Sequence, residues 1–101
     1  MDFKRGNTYR LYGTIENVDI SVISKVVFKF NTIEKTYLSD GTGDVIYDSG
    51  KFIVELSQEE TLSLTDTRVK YEVAVKFTDN QVKRSPVYNT NSLETIIEEE
   101  I

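Results

Sequence analysis

The sequence contains no cysteine and no histidine, and these two absences exclude much of the chemistry that proteins perform. Without cysteine, the chain can form neither a disulfide framework nor a thiolate metal site, so packing and backbone hydrogen bonds must stabilise it. Without histidine, it lacks the usual general base at neutral pH, the Ser–His nucleophile pair and most transition-metal ligands. We therefore expect a protein that is not an enzyme and that uses no cofactor.

Basic charge and long apolar runs are also scarce. Seventeen acidic residues against 12 basic ones give a formal net charge of −5, which repels a phosphate backbone. No stretch approaches the roughly 20 apolar residues that a membrane-spanning helix needs. In place of an apolar secretory signal, Met1 is followed by Asp2, Phe3, Lys4 and Arg5. We expect neither nucleic acid nor a membrane among the partners.

Apolar and polar side chains alternate along much of the chain, which is the period of a half-buried β-strand. The longest such run covers residues 69–78, in which the apolar members are Val69, Tyr71, Val73, Val75 and Phe77. Similar alternation places Tyr9, Leu11, Gly13 and Ile15 on one face, and Val26, Phe28 and Phe30 on another. Shorter strands are predicted over 35–39, 45–47 and 51–56, and a closing strand over 92–101.

One helical pattern interrupts these strands. Ser57 followed by Glu60 is a capping box, which predicts a helix of one or two turns with Leu62 and Leu64 tucked under the sheets. The pattern as a whole predicts an all-β fold, an immunoglobulin-like antiparallel β-sandwich of about seven strands with one short helical turn. The 101 residues suit a single β-sandwich domain that spans 1–101.

A hairpin is predicted after the longest strand. The turn formers at 79–80 lead into an extended segment over 81–88, and we predict that Phe77 lies opposite Val82 and Lys76 opposite Lys83. Pro86 cannot donate to a strand ladder, so its strand should lie at a sheet edge or end nearby.

Three aspartates lie in a glycine-rich stretch and are the candidates for metal binding or acid–base chemistry by residue type. Asp40, Asp44 and Asp48 could hold calcium in a flexible loop, but their spacing does not match an EF-hand. The alternative is that they were selected for turn geometry. A glycosidase-type carboxylate pair would need two acids across a cleft, one of them with a raised pKa.

Apart from Phe3, the six tyrosines and five phenylalanines fall into two groups. Those predicted to lie in the core are Tyr9, Tyr71, Phe28, Phe30, Phe52 and Phe77. Those without a predicted core position, and therefore the candidates for an interface or a sugar-stacking platform, are Tyr12, Tyr37, Tyr47 and Tyr88.

Several segments resemble a known family. They are Arg5-Gly6-Asn7-Thr8 at the opening of a strand, the run from Gly50 to Thr61, and the last hairpin from Tyr71 to Ser85. They resemble small bacteriophage and prophage tail proteins, and are similar in particular to the immunoglobulin-like N-terminal domain of baseplate upper proteins from phages of Gram-positive bacteria.

The resemblance implies a non-catalytic structural or assembly module of a phage or prophage tail baseplate. Such a module would be a virion component assembled in the bacterial cytoplasm, and its partners would be other tail or baseplate proteins or copies of itself. The alternative is a sugar- or cell-surface-binding accessory module in which exposed tyrosines stack on pyranose rings, although the chain lacks tryptophan. A carboxylate hydrolase is the third hypothesis.

Overall fold

The computed structural model describes residues 2–15, 18–65 and 68–93, and most of them lie in strands. The strands are β1 (Asp2–Lys4), β2 (Tyr9–Gly13), β3 (Ile23–Phe30), β4 (Ile33–Leu38), β5 (Ile46–Asp48), β6 (Lys51–Leu56), β7 (Arg68–Phe77), β8 (Val82–Arg84) and β9 (Tyr88–Leu93). A 3-10 turn covers Ile20–Val22, and one short helix, α1 (Gln58–Leu62), connects β6 to β7.

The strands form two sheets that pack face to face. The larger sheet has the order β1-β9-β7-β3-β4, with β8 also paired to β7, and the smaller sheet has the order β2-β6-β5. The strand pairs are antiparallel except for β1 and β9, which are parallel. In the lettering of immunoglobulin domains, β2, β6 and β5 take the places of B, E and D, and β3 and β7 those of C and F. The predicted immunoglobulin-like sandwich is confirmed.

The core lies between the inward faces of β3 and β6. Val26 and Phe28 of β3 are buried, as are Phe52 and Val54 of β6, and the ring centroids of Phe28 and Phe52 are 6.2 Å apart. Gly13 of β2 lies close to this contact, because a Cβ atom there would be 3.6 Å from the Phe28 ring. The predicted core aromatics are confirmed, since Phe28, Phe30 and Phe52 are buried and Tyr9, Tyr71 and Phe77 pack around them.

The helix α1 begins with the predicted capping box. Ser57 Oγ accepts a hydrogen bond from the Glu60 N–H at 3.2 Å, and Glu60 Oε1 accepts one from the Ser57 N–H at 2.9 Å. These two bonds satisfy donors that a helix start leaves without partners. Leu64 is buried as predicted, whereas Leu62 is half-buried.

Thr61 joins α1 to the segment that links β1 and β2. Its hydroxyl is fully buried, accepts a hydrogen bond from the Gly6 N–H at 3.0 Å and donates one to the Asn7 carbonyl at 2.8 Å. Beside it, the Arg5 guanidinium donates from Nη2 to the Leu62 carbonyl at 2.7 Å, which satisfies an acceptor at the end of the helix. We call this set of bonds the Thr61 clamp.

The predicted register of the hairpin between β7 and β8 is wrong by one residue. Val82 lies opposite Lys76 rather than Phe77, and the predicted pair of Lys76 with Lys83 does not form. The reason is a loop of three residues that ends with Asn80 in the left-handed region, at φ 69°. This loop is one residue longer than the predicted turn, so Val82 pairs with the outward-facing Lys76. Val82 therefore faces outward as well and is 49% exposed.

The strand predicted over 81–88 is interrupted. β8 ends before Pro86, as expected of a residue without an N–H, and β9 begins after it. Ser85 maintains the ladder across the break, because its N–H donates to the Val73 carbonyl at 2.8 Å and its Oγ accepts from the Val73 N–H at 3.0 Å. β8 and β9 are thus two parts of one bulged strand.

Strand boundaries otherwise agree with the sequence within a few residues. The short strand predicted over 45–47 is β5, and the strand predicted over 35–39 is β4. β1 was not predicted, because three residues are too few to show a period. Of the closing strand predicted over 92–101, residues 92 and 93 are the last two of β9, and residues 94–101 lie outside the described residues.

We expect Thr61→Val to lower the free energy of unfolding by about 1–3 kcal/mol, because the Gly6 N–H and the Asn7 carbonyl would lose their buried partner. Thr61→Ser keeps the hydroxyl and should cost clearly less. Urea unfolding followed by circular dichroism measures both variants. Equal stabilities for the Thr61→Val and Thr61→Ser variants would show that the hydroxyl of the Thr61 clamp does not stabilise the fold.

Candidate interaction surfaces

The outer face of the smaller sheet carries a row of apolar side chains. Tyr12 of β2, Ile53 of β6 and Ile46 of β5 lie opposite one another across the strands. Tyr12 is 60% exposed and Ile46 is 59% exposed, while Ile53 between them is half-buried. Single exposed apolar residues are normal on protein surfaces, but a contiguous row of them is typical of an interaction site. We call these residues the apolar row.

Charged residues flank the apolar row on both sides. On one side Arg10 Nη2 lies 2.8 Å from Glu55 Oε1, and hydrogen bonding to Glu55, followed by hydrogen bonding to Tyr12, raises the pKa of Arg10. On the other side Lys51 lies opposite Asp48, and Lys51 Nζ is 5.8 Å from the centroid of the Tyr12 ring. An apolar centre inside a charged rim is the usual arrangement of a protein–protein interface.

A trough of about 400 Å³ lies on the outer face of the larger sheet. Its floor includes Val27 and Ala74, and its wall includes Val82. The cations that line it are Lys25, Lys29, Lys76 and Arg84, and the carboxylates are Glu34 and Glu72. The trough is therefore more basic than the chain as a whole, which carries a net charge of −5.

The charges are compensated at one end of the trough only. Lys29 lies opposite both Glu34 and Glu72, and Arg84 Nη1 is 3.9 Å from Glu72 Oε1. At the other end Lys25 of β3 lies directly opposite Lys76 of β7. Within the described part of the chain, neither of these two lysines forms an ion pair. We call them the lysine pair.

A polar recess lies where α1 meets β4, and Asp44 and Glu55 line it. Within it, Lys35 Nζ is 2.7 Å from Glu60 Oε2. Burial raises the pKa of Glu60, but the hydrogen bonds from Lys35 and from the Ser57 N–H, together with the charge of Lys35, outweigh burial and lower the pKa. A glycosidase-type acid needs a raised pKa, so Glu60 lacks the property that the hydrolase hypothesis requires.

The three candidate aspartates occupy separate local environments. Asp40 Oδ1 accepts hydrogen bonds from the hydroxyl of Thr42 at 2.6 Å and from its N–H at 3.0 Å, and these bonds lower the pKa of Asp40. Asp48 accepts a bond from the Ser49 hydroxyl, and Asp44 lines the recess. Within 2–15, 18–65 and 68–93, no three acidic side chains are grouped so that they could hold a metal ion. Asp40 has the geometry of a turn residue.

The tyrosines without a predicted core position differ in how much of each ring is available. Tyr37 and Tyr47 pack on Phe52, with ring centroids 5.1 and 5.0 Å from it. Tyr88 stacks on a tyrosine of β7 at 5.2 Å. Tyr12 is the most exposed of the four, so it is the tyrosine that the structure places on a candidate interaction surface.

Sequence reasoning did not identify Ile46, Ile53 or the lysine pair as surface features. Ile53 could have been found, because it is an apolar residue between the inward-facing Phe52 and Val54. The lysine pair needs the register of two strands that are distant in sequence, and periodicity within one strand does not supply it.

No protein-family model and no curated protein matches the chain. The helical segments within the described ranges are all too short or too polar to cross a membrane.

We expect the stability conferred by the Lys35–Glu60 ion pair to disappear in acid. Because the pKa of Glu60 in the folded protein lies below the value of 4.5 for the free side chain, the folded state binds this proton less readily than the unfolded state. The stabilisation is therefore complete above about pH 5 and is lost as the pH falls through the folded pKa.

Glu60→Gln tests this pH dependence. The variant should be less stable than the parent by about 1 kcal/mol at pH 7, and the difference should shrink towards pH 3 in urea unfolding. Glu59→Gln is the matched control, since Glu59 is exposed on the same helix and its replacement leaves the ion pair intact. A stability difference between the Glu60→Gln variant and the parent that stays constant with pH would contradict the assignment.

Proposed function

We propose that this protein is a non-catalytic assembly module that binds neighbouring protein subunits through the apolar row. The observation that carries the proposal is that Tyr12, Ile53 and Ile46 lie side by side on the open face of the smaller sheet, with the two outer residues about 60% exposed. Burial of such side chains against a partner gives a free-energy gain in proportion to the apolar area removed from water.

The charged rim supports a protein partner. Arg10 and Glu55 neutralise each other on one side of the row, and Lys51 and Asp48 lie together on the other. Paired charges at the edge of an interface fix orientation at little energetic cost, whereas aromatic and branched residues at its centre supply affinity. The face thus has the composition of a contact between folded proteins.

The setting that we propose is a phage or prophage tail, with the protein as a virion component that is assembled in the bacterial cytoplasm. This proposal rests on the resemblance of the segments at 5–8, 50–61 and 71–85 to baseplate upper proteins. The first two segments meet at the Thr61 clamp, where residues 6 and 7 bond to Thr61. The partners would be other tail proteins or further copies of this chain.

Sugar binding is the alternative, and one observation favours it. Tyr12 presents an exposed ring, and an exposed tyrosine can stack on a pyranose. Tyr37, the other tyrosine considered for this role, packs against Phe52 and Tyr47 instead. Binding on a glycan array that disappears in Tyr12→Ala would support this alternative, and an array without binding would remove it.

We expect Tyr12→Thr/Ile46→Thr to weaken the association that persists at high salt. Sedimentation velocity over a concentration series in about 0.5 M NaCl, where contacts between exposed charges are screened, measures association through apolar surface. Loss of two anchoring side chains should weaken it by about tenfold or more. Threonine keeps the β-branched character that strands favour, so folding should be preserved.

Val87→Thr is the matched control, because Val87 is 55% exposed and lies away from the apolar row. It should associate like the parent. A parent protein that is strictly monomeric at high concentration, and that also fails to bind other tail proteins, would contradict the proposed function.

A further inference from the structure

The lysine pair is an unfavourable arrangement for the isolated fold. Lys25 and Lys76 occupy directly opposed positions of neighbouring strands, and like charges in such positions repel each other. The carboxylates of the trough lie towards its other end, opposite Lys29. An anionic group placed between the two ammonium groups would relieve the repulsion, so this end of the trough has the charge of an anion-binding site.

The trough also offers apolar contact beside the lysine pair. Val27 and Ala74 form its floor, and Val82 is 49% exposed next to Lys76. A free anion would leave these surfaces unused, whereas a peptide with both acidic and branched side chains would cover them. The site therefore fits an acidic, apolar peptide segment better than it fits an isolated ion.

The chain itself contains a segment with this composition. Residues 94–101 read Glu-Thr-Ile-Ile-Glu-Glu-Glu-Ile, so four glutamates accompany three isoleucines without a single cation. This is the complement of a trough with a cationic rim and an apolar floor. The four glutamates of this segment carry most of the net charge of −5, so residues 1–93 carry a formal charge of only −1.

The segment cannot reach the lysine pair of its own chain. β9 runs antiparallel to β7 with Asn91 opposite Arg68, so it leads away from Lys76. At about 3.3 Å per residue, Lys76 lies about 26 Å from the level of Arg68, and Leu93 lies about 7 Å beyond that level in the opposite direction. Eight fully extended residues after Leu93 span at most about 29 Å, less than the total of about 33 Å.

We propose that the lysine pair of one copy binds the acidic segment 94–101 of a second copy. This inference rests on the proposed assembly function and identifies the partner as the chain itself. The glutamates lie between the ammonium groups of Lys25 and Lys76, and the isoleucines cover Val27 and Val82. Contacts of this kind weaken as salt concentration rises, which distinguishes them from contacts through the apolar row.

A synthetic peptide of residues 93–101 tests the site directly. It should bind the full chain at about 50 mM NaCl in isothermal titration calorimetry, and Lys25→Glu/Lys76→Glu should weaken binding by about tenfold or more. Lys70→Glu/Lys83→Glu is the matched control, since it reverses the same number of exposed charges outside the trough. Absence of binding to the parent protein, or equal weakening in both double variants, would overturn the proposal.

Stability provides a second readout that separates binding from folding. Lys25→Gln removes the repulsion within the lysine pair, so it should raise the thermal unfolding midpoint while it weakens peptide binding. A variant that loses both stability and binding would show instead that Lys25 is structural, and the proposed site would be wrong.

A charge exchange between full-length chains tests the contact between copies. Both chains of the exchange carry Tyr12→Thr/Ile46→Thr. One of them adds Lys25→Glu/Lys76→Glu, and the other adds Glu98→Lys/Glu99→Lys/Glu100→Lys. Each chain alone should be monomeric in sedimentation velocity, and their mixture should form heteromers at low salt. A mixture that remains monomeric would refute the contact. Both chains lack the Tyr12 and Ile46 side chains of the apolar row, so this result would refute only the contact through the lysine pair. The proposed function is tested separately, by association at high salt.

Discussion

The alternation of side chains along each strand is the constraint that determines both the core and the two surfaces. Burial of Phe52 and Val54 directs Ile53 outward, and burial of Val26 directs Lys25 outward, because successive residues of a strand face opposite sides of the sheet. A slip of one residue in either strand would exchange core and surface. The apolar row and the lysine pair are therefore set by the same register that fills the core.

Irregularities in the strands adjust this pattern and protect the sheet edges. A bulge at Ser24 shifts the register of β3, so that Ile23 is buried although three positions separate it from Val26. At the edge strand β4, the Val45 N–H donates to the Thr36 carbonyl at 3.0 Å. Gly43 permits this approach, because a Cβ atom there would clash with the Thr36 backbone. The loop thereby covers part of an edge that would otherwise be open to another strand.

Sequence alone was sufficient for the features that depend on local patterns. The period of two in residues 69–78, the capping box at Ser57 and the effect of Pro86 on its strand were all predicted and are present. Features that depend on pairing between distant segments were not recoverable. The hairpin register failed because Asn80 adopts a left-handed conformation that its sequence permits but does not require. The two surfaces were also missed, because each consists of residues from different strands. Those residues become neighbours only when the registers between the strands are known.

The two candidate surfaces lie on opposite outer faces of the sandwich, so the two proposed contacts do not overlap. Their symmetries differ. Contact between an apolar row and its own counterpart is isologous and closes on itself as a pair, whereas contact between the lysine pair and the acidic segment of another copy is heterologous. A heterologous contact continues from copy to copy until a rotation closes it into a ring. Under the two proposed contacts, the heterologous one would generate a ring through the larger sheet and the isologous one would join two rings through the smaller sheet. Only the contact of the lysine pair weakens as salt concentration rises, so salt separates the two steps.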